Sequence, residues 1–251
     1  MNVGITSLVV FACVFGAAMF GILLRSLLPE HHLNSETKDT VKIAMGFVAT
    51  MSALILGLLV ASAKDSYDKQ ASGVTQMAAK AIFLDSLLAK YGPETKEIRA
   101  MYHRVVEQIT QRMWPDDKVS EAQLDPSKSH NEDLLVAIES LRPTTELQNM
   151  LKPQAISVTL ELGQMRWLEY AQANSSASRQ LLYLLVFWIS VLFASFGLFA
   201  PRNATAIAAL KLSALSVAGA IYLILELGSP FHGFLQIPKT AFLDALAHIG
   251  K

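Results

Sequence analysis

Four stretches of the chain are almost free of charge, at residues 5–24, 43–63, 181–200 and 204–225. A helix needs about 20 apolar residues to span a bilayer, and each of these stretches supplies them. Lys211 interrupts the fourth and blurs its start. The long segment between the second and third stretches holds most of the charge. The pattern predicts an all-α integral membrane protein with four transmembrane helices and one polar insertion.

The second stretch continues past the membrane. No proline or glycine breaks it at Lys64, Asp65 and Asp68. Apolar residues then recur at Tyr67, Ala71, Val74, Ala78, Ala81, Leu84, Leu88 and Tyr91. Steps of four and three make a heptad-like seam. Gly92 and Pro93 end it. Asn34 or Ser35 offers a cap before the membrane. One helix from near Ser35 to Tyr91 would be on the order of 80 Å long at 1.5 Å per residue.

A polar helix follows, with Glu94 and Glu97 in its first turn, where the helix dipole favours them. Its apolar stripe is Ile98, Met101, Tyr102, Val105, Ile109 and Met113, and Pro115 closes it. Residues 116–133 are polar and aperiodic, and read as a flexible loop. Two short helices are expected next, stopped by Pro143 and Pro153. From Gln154 a long run sets Ile156, Leu160, Gly163, Trp167, Tyr170 and Asn174 on one face and leads into the third span.

Two of the four transmembrane helices are thus expected to extend into a polar helical bundle. The organisation is residues 1–63, transmembrane helices 1 and 2; 64–179, the polar bundle continuous with helices 2 and 3; 180–227, transmembrane helices 3 and 4; and 228–251, a C-terminal segment. In the last, Phe242, Leu243, Leu246 and Ile249 share a face and suggest an interfacial helix.

Composition narrows the function classes. Apolar residues make up 52% of the 251, and mean hydropathy is +0.37. Lys plus Arg and Asp plus Glu are 21 each, so no basic surface points to nucleic acid. The first span lacks a basic leader and a small-residue cleavage site, and reads as a retained helix. Cys13 is the single cysteine, so no internal disulfide forms. No phosphate loop, zinc motif or nucleophile elbow is present, so no catalytic residues are assigned. Glu30, His31 and His32 are adjacent and lack a third ligand, so no metal and no cofactor is expected. Lys211 and Glu226 fall near the ends of the fourth span, where long side chains snorkel.

The second span carries the candidate site. Ala49, Ala53, Gly57 and Ala61 recur every fourth position, and Thr50, Ser52 and Ser62 add hydroxyls. Small residues let membrane helices pack closely. They also suit pores, whose walls are often small, hydroxylic or apolar. Ala49, Thr50, Ala53, Gly57, Ala61 and Ser62 are therefore either pore-lining or helix-packing residues. Four spans put both termini and the insertion on one side of the membrane. Arg25 after an uncharged N-terminal span favours that side being outside.

Several stretches, "LLPEHHL", "VKIAMGFVATMSALILGLLVASAKDSYD", "YGPETKEIR", "RMWP" and "SPFHGF", resemble a bacterial membrane family, domain of unknown function 4239, labelled bestrophin-like. Bestrophins are pentameric anion channels with four membrane helices per subunit. The second helix lines the pore's neck, and helical extensions form a cytosolic vestibule. The resemblance implies a homo-oligomeric, pentameric ion channel of the bacterial inner membrane with its polar bundle in the cytosol. Its partners would be copies of itself, the lipid bilayer and an inorganic ion. The resemblance departs at the neck, where this chain has small residues and Phe47 as the single phenylalanine of the second span. A clasp of clustered acids is also missing, so neither anion selectivity nor calcium gating is implied. A non-conducting scaffold or sensor, whose polar bundle recruits a partner, is the alternative.

Overall fold

The computed structural model describes residues 3–27, 35–115, 131–173 and 177–250. Among them every regular element is helical: α1 (Val3–Leu24), α2 (Ser35–Tyr91), α3 (Lys96–Met113), α4 (Asn131–Glu139), α5 (Glu146–Ala173), α6 (Ala177–Phe199), α7 (Ala204–Leu227) and α8 (Thr240–His248). Four helices, α1, α2, α6 and α7, are long and apolar enough to cross a membrane. The chain is an all-α integral membrane protein. It divides into two compact units, residues 1–65 with 176–228, and residues 66–175 with 229–251. Helix α2 contributes to both.

Helix α2 begins at Ser35 and ends where Gly92 and Pro93 predict. It runs 57 residues without a break and stops at Tyr91. Gly92 then takes a φ of 139°, which side chains disfavour, and Pro93 opens a single 3₁₀ turn. Thr95 closes the end by donating its hydroxyl to the Leu88 carbonyl at 2.6 Å. Gln148 adds a bond from Nε2 to the Tyr91 carbonyl at 2.9 Å. Both satisfy carbonyls that a helix end leaves open.

In the first unit, α1 packs on α6 and α7. The core joins Val10, Val14 and Ala18 of α1 to Leu185, Ile189 and Phe193 of α6 and to Ala214 and Ile221 of α7. The α1–α6 seam is very close. A Cβ built on Gly21 would lie 2.0 Å from the Ala194 carbonyl oxygen. One built on Gly197 would lie 2.0 Å from that of Ala18. Apolar burial gives little drive between helices in lipid, so close backbone packing of small residues takes its place. Two arginines tie the ends of these helices together. Arg25 Nη1 donates to the Ala200 carbonyl at 2.7 Å, and Arg202 Nη2 to that of Ile22 at 3.2 Å. Cations there also suit the negative end of the helix dipole. Ile5, Leu8, Phe20, Phe187 and Leu212 point outward, as lipid-facing residues do.

The second unit is built on the heptad seam. Val74, Ala78, Ala81, Leu84, Leu88 and Tyr91 are all buried, together with Ile98, Tyr102, Val106 and Met113 of α3. Asp85 is a buried anchor. Arg99 grips it through Nε and Nη2 at 2.8 and 2.7 Å, and the Gly250 amide donates to it at 3.3 Å. Trp114 donates its indole N–H to the Ile237 carbonyl at 2.8 Å and packs against Phe231 and Phe242.

Three expectations change. Pro153 does not stop a helix: it lies inside α5. A proline removes one backbone bond and crowds the preceding turn. Pro153 is exposed, and Leu151 and Ala155 on either side are buried and hold the helix to the core. The α5 core face is also different. Leu151, Ala155 and Val158 are buried, with Leu162 and Met165 partly so, whereas Leu160 and Trp167 are exposed. Apolar residues occur all round this helix, so periodicity did not single out one face. Finally, Phe242, Leu246 and Ile249 turn into the core of the second unit instead of standing free as an interfacial face, while Leu243 is exposed. The continuity expected between α5 and the third span, the loop after Pro115 up to residue 130, and Glu30 to His32 lie outside the described residues.

Candidate functional site: the outward face of α2

Within the first unit α2 has two faces. Ser52, Ile55, Leu56, Leu59, Val60 and Ala63 turn toward the core. Thr50, Ala53, Gly57 and Ala61 are exposed on the other side, and Ala49 is half-buried at the boundary. Gly46 extends this small face by one more turn and was missed in the four-residue repeat. A Cβ added at Gly46 or at Gly57 would meet nothing within 4 Å. Next to the small residues, Phe47, Leu54 and Leu58 are exposed at 70%, 65% and 61%. The outward face therefore has a bulky half and a small half. Helical geometry places Ser62 about 100° beyond Ala61, on the bulky side, so it does not belong to the stripe.

Ala53, Gly57 and Ala61 are exposed within the first unit. The intrasubunit seam is Gly21 against Gly197. Helix α2 is the least covered span: 11% of its most apolar window is buried, against 28%, 33% and 22% in α1, α6 and α7.

The hydroxyls separate in the same way. Thr50 donates to the Gly46 carbonyl at 3.0 Å, which leaves its oxygen free to accept. Ser52 is buried on the core face and its oxygen has no hydrogen-bond partner. It is not on the stripe.

No charge falls on α2 between Lys42 and Lys64. Lys42 pairs with Asp39 at 3.3 Å before the membrane. At the other end Lys64, Asp65, Asp68 and Lys69 all take part in polar interactions. The expectation that Glu226 snorkels does not hold. It is buried, and the Tyr222 hydroxyl one turn earlier bonds to it.

The second unit carries a titratable group that periodicity did not flag. Glu169 of α5 is buried against Gly73 of α2. A Cβ on Gly73 would lie 2.2 Å from Glu169 Oε1, so a larger residue there would push the carboxyl from its place. Glu169 Oε2 has no hydrogen-bond partner, and burial pushes the carboxyl up to about 7. Its position continues the true core face of α5 by one turn, which is the signal that could have found it. Groups of His, Cys, Asp and Glu able to hold a metal are absent among the described residues.

No curated protein and no solved structure matches the chain. The family model described as Bestrophin-like domain matches residues 12–242. That match takes in α2, α6 and α7, the second half of α1 and nearly the whole second unit, and the chain belongs to the Bestrophin-like family.

Proposed function

We propose that the protein assembles as a homo-oligomeric ion channel in which the small face of α2 borders the pore. One observation carries this reading: Thr50, Ala53, Gly57 and Ala61 are exposed in the first unit, and a Cβ at Gly57 would meet nothing within 4 Å. Their bulky neighbours Phe47, Leu54 and Leu58 suit lipid, so the small half is left for copies of the same helix. Small uncharged walls with hydroxyls are compatible with ion passage. Family membership supports conduction, since bestrophins are ion channels. The ion stays open, because the small neck departs from the bulky bestrophin one. Five subunits, the bacterial inner membrane and a cytosolic second unit belong to the same proposal.

The scaffold reading uses the same face as a sealed subunit contact. Two measurements on one preparation separate them. Ala53→Cys in a Cys13→Ala background should cross-link between subunits under mild oxidation. Liposomes holding that assembly, before oxidation, should pass ions. Cross-linking without flux of any tested ion would leave the scaffold. No cross-linking would sink the placement of α2 next to its copies.

A further inference from the structure

In the first unit, the start of α2 and the end of α6 leave a groove of about 380 Å³ between them. That size lies within the range of small-molecule sites. Its α2 wall is a single helical face, with Lys38 and Lys42 at the start and then Gly46 and Ala49. Phe196 and Phe199 line it from α6. From Lys38 to Ala49 the wall is about 17 Å long. A Cβ added at Gly46 would meet nothing within 4 Å, so the space continues up to the α2 backbone.

The groove is cationic at one end and apolar along the rest. Lys42 is the last charge of α2 before Lys64, so the two lysines mark the edge of the apolar span. Lys38 is half-buried and makes no ion pair among the described residues. Lys42 pairs with the exposed Asp39 at 3.3 Å. An ammonium has three donors, so that pair does not use up Lys42. Arg25 adds to the same field. It donates to the carbonyl of Ala200, a groove residue, and a neutral acceptor leaves its charge uncancelled. Basic residues at the membrane edge of a gap between helices favour an anionic lipid head.

We propose that this groove holds one anionic phospholipid, with an acyl chain lying beside Gly46 and the phosphate head at Lys38 and Lys42. The bilayer supplies the chain to the apolar wall, and the two ammonium groups select the charge of the head. A zwitterionic lipid with the same chains binds more weakly, because its own cation meets the lysines. The site stands on its own geometry and is independent of ion conduction.

The test is native mass spectrometry of the full-length protein in a neutral detergent, stripped of lipid and then titrated. Dioleoyl phosphatidylglycerol is the probe, and dioleoyl phosphatidylcholine and glycerol 1-phosphate are the controls. Phosphatidylglycerol should bind saturably, about tenfold or more tighter than phosphatidylcholine, and glycerol 1-phosphate should not displace it. The double variant Lys38→Gln, Lys42→Gln should lose the preference between the two lipids. Gly46→Leu should abolish the saturable site while the melting midpoint of the lipid-free protein holds or rises, since leucine is the better helix former and has room. Absence of a saturable phosphatidylglycerol site overturns the proposal, as it would if a second copy of the chain filled the groove. Phosphatidylcholine binding as tightly, displacement by glycerol 1-phosphate, a double variant that keeps the preference, or unchanged binding in Gly46→Leu overturns it too.

Discussion

On α1 and α6, a Cβ at Gly21 or Gly197 would sit 2.0 Å from a backbone oxygen of the facing helix; on α2, a Cβ at Gly46 or Gly57 meets nothing within 4 Å. Both pairs are membrane glycines, and both lie near alanines. The first pair is small because another backbone is already there. The second has no backbone so close: Gly57 is exposed, and Gly46 borders an open groove beside α6. Small residues in a membrane helix report a close approach only when something approaches, and the single chain supplies that neighbour for α1 and not for α2.

The sharpest way to break this contrast is to add bulk to each face in turn. Gly21→Leu or Gly197→Leu should abolish the folded protein, since backbone on both sides cannot yield. The loss should exceed about 4 kcal/mol and appear as failure to recover a monodisperse peak on size exclusion. A folded Gly197→Leu protein with an unshifted melting midpoint would refute the seam.

The second unit offers a control outside the membrane. Asp85→Ala removes both side-chain bonds that Arg99, which is largely buried, makes to Asp85. Removing one partner of such a pair costs about 3 kcal/mol. Chemical denaturation followed by tryptophan fluorescence should show it, and an equal midpoint would mean that Arg99 finds another partner.

Glu169 gives a pH-dependent effect of similar size. Its carboxyl titrates near 7 when folded, against 4.5 as a reference. Folding therefore binds a proton between those values, so stability is full below pH 4.5 and falls as pH rises toward and through 7. The fall should be about 3 kcal/mol. Glu169→Gln should flatten the profile, and a wild-type profile that rises over this window would contradict the buried, unpartnered placement.

The smallest expected effect on stability is Gly57→Leu. It meets open space and gains helix propensity, so the subunit should be unchanged or stabilised by up to about 1 kcal/mol. Its consequences belong to the assembly.

Much of this fold was legible in the sequence. The far end of the 57-residue α2 could be read because its stop is chemical: Gly92 with Pro93. The heptad seam from Val74 to Leu88 was legible because each step lands on the core. Helix α5 was not, since its apolar residues occur on two faces and only packing tells the core face from the other. Pro153 misled because a proline on an exposed face can be kept inside a helix held by its neighbours. Of the candidate residues, Ala53, Gly57 and Ala61 lie together on the outward face, Ala49 marks its edge, and Ser62 falls on the bulky side. The true seam was written as an alanine three residues before a glycine on two helices, Ala18 with Gly21 and Ala194 with Gly197. A four-residue repeat does not contain that spacing.

The most direct test of the account is ion flux through the purified oligomer in liposomes, wild type beside Gly57→Leu, with assembly size checked in both. The account predicts flux in the wild type and strongly reduced flux in Gly57→Leu at an unchanged assembly size. Wild-type flux that Gly57→Leu leaves untouched, or intact wild-type oligomers that pass none of the ions tested, would contradict it.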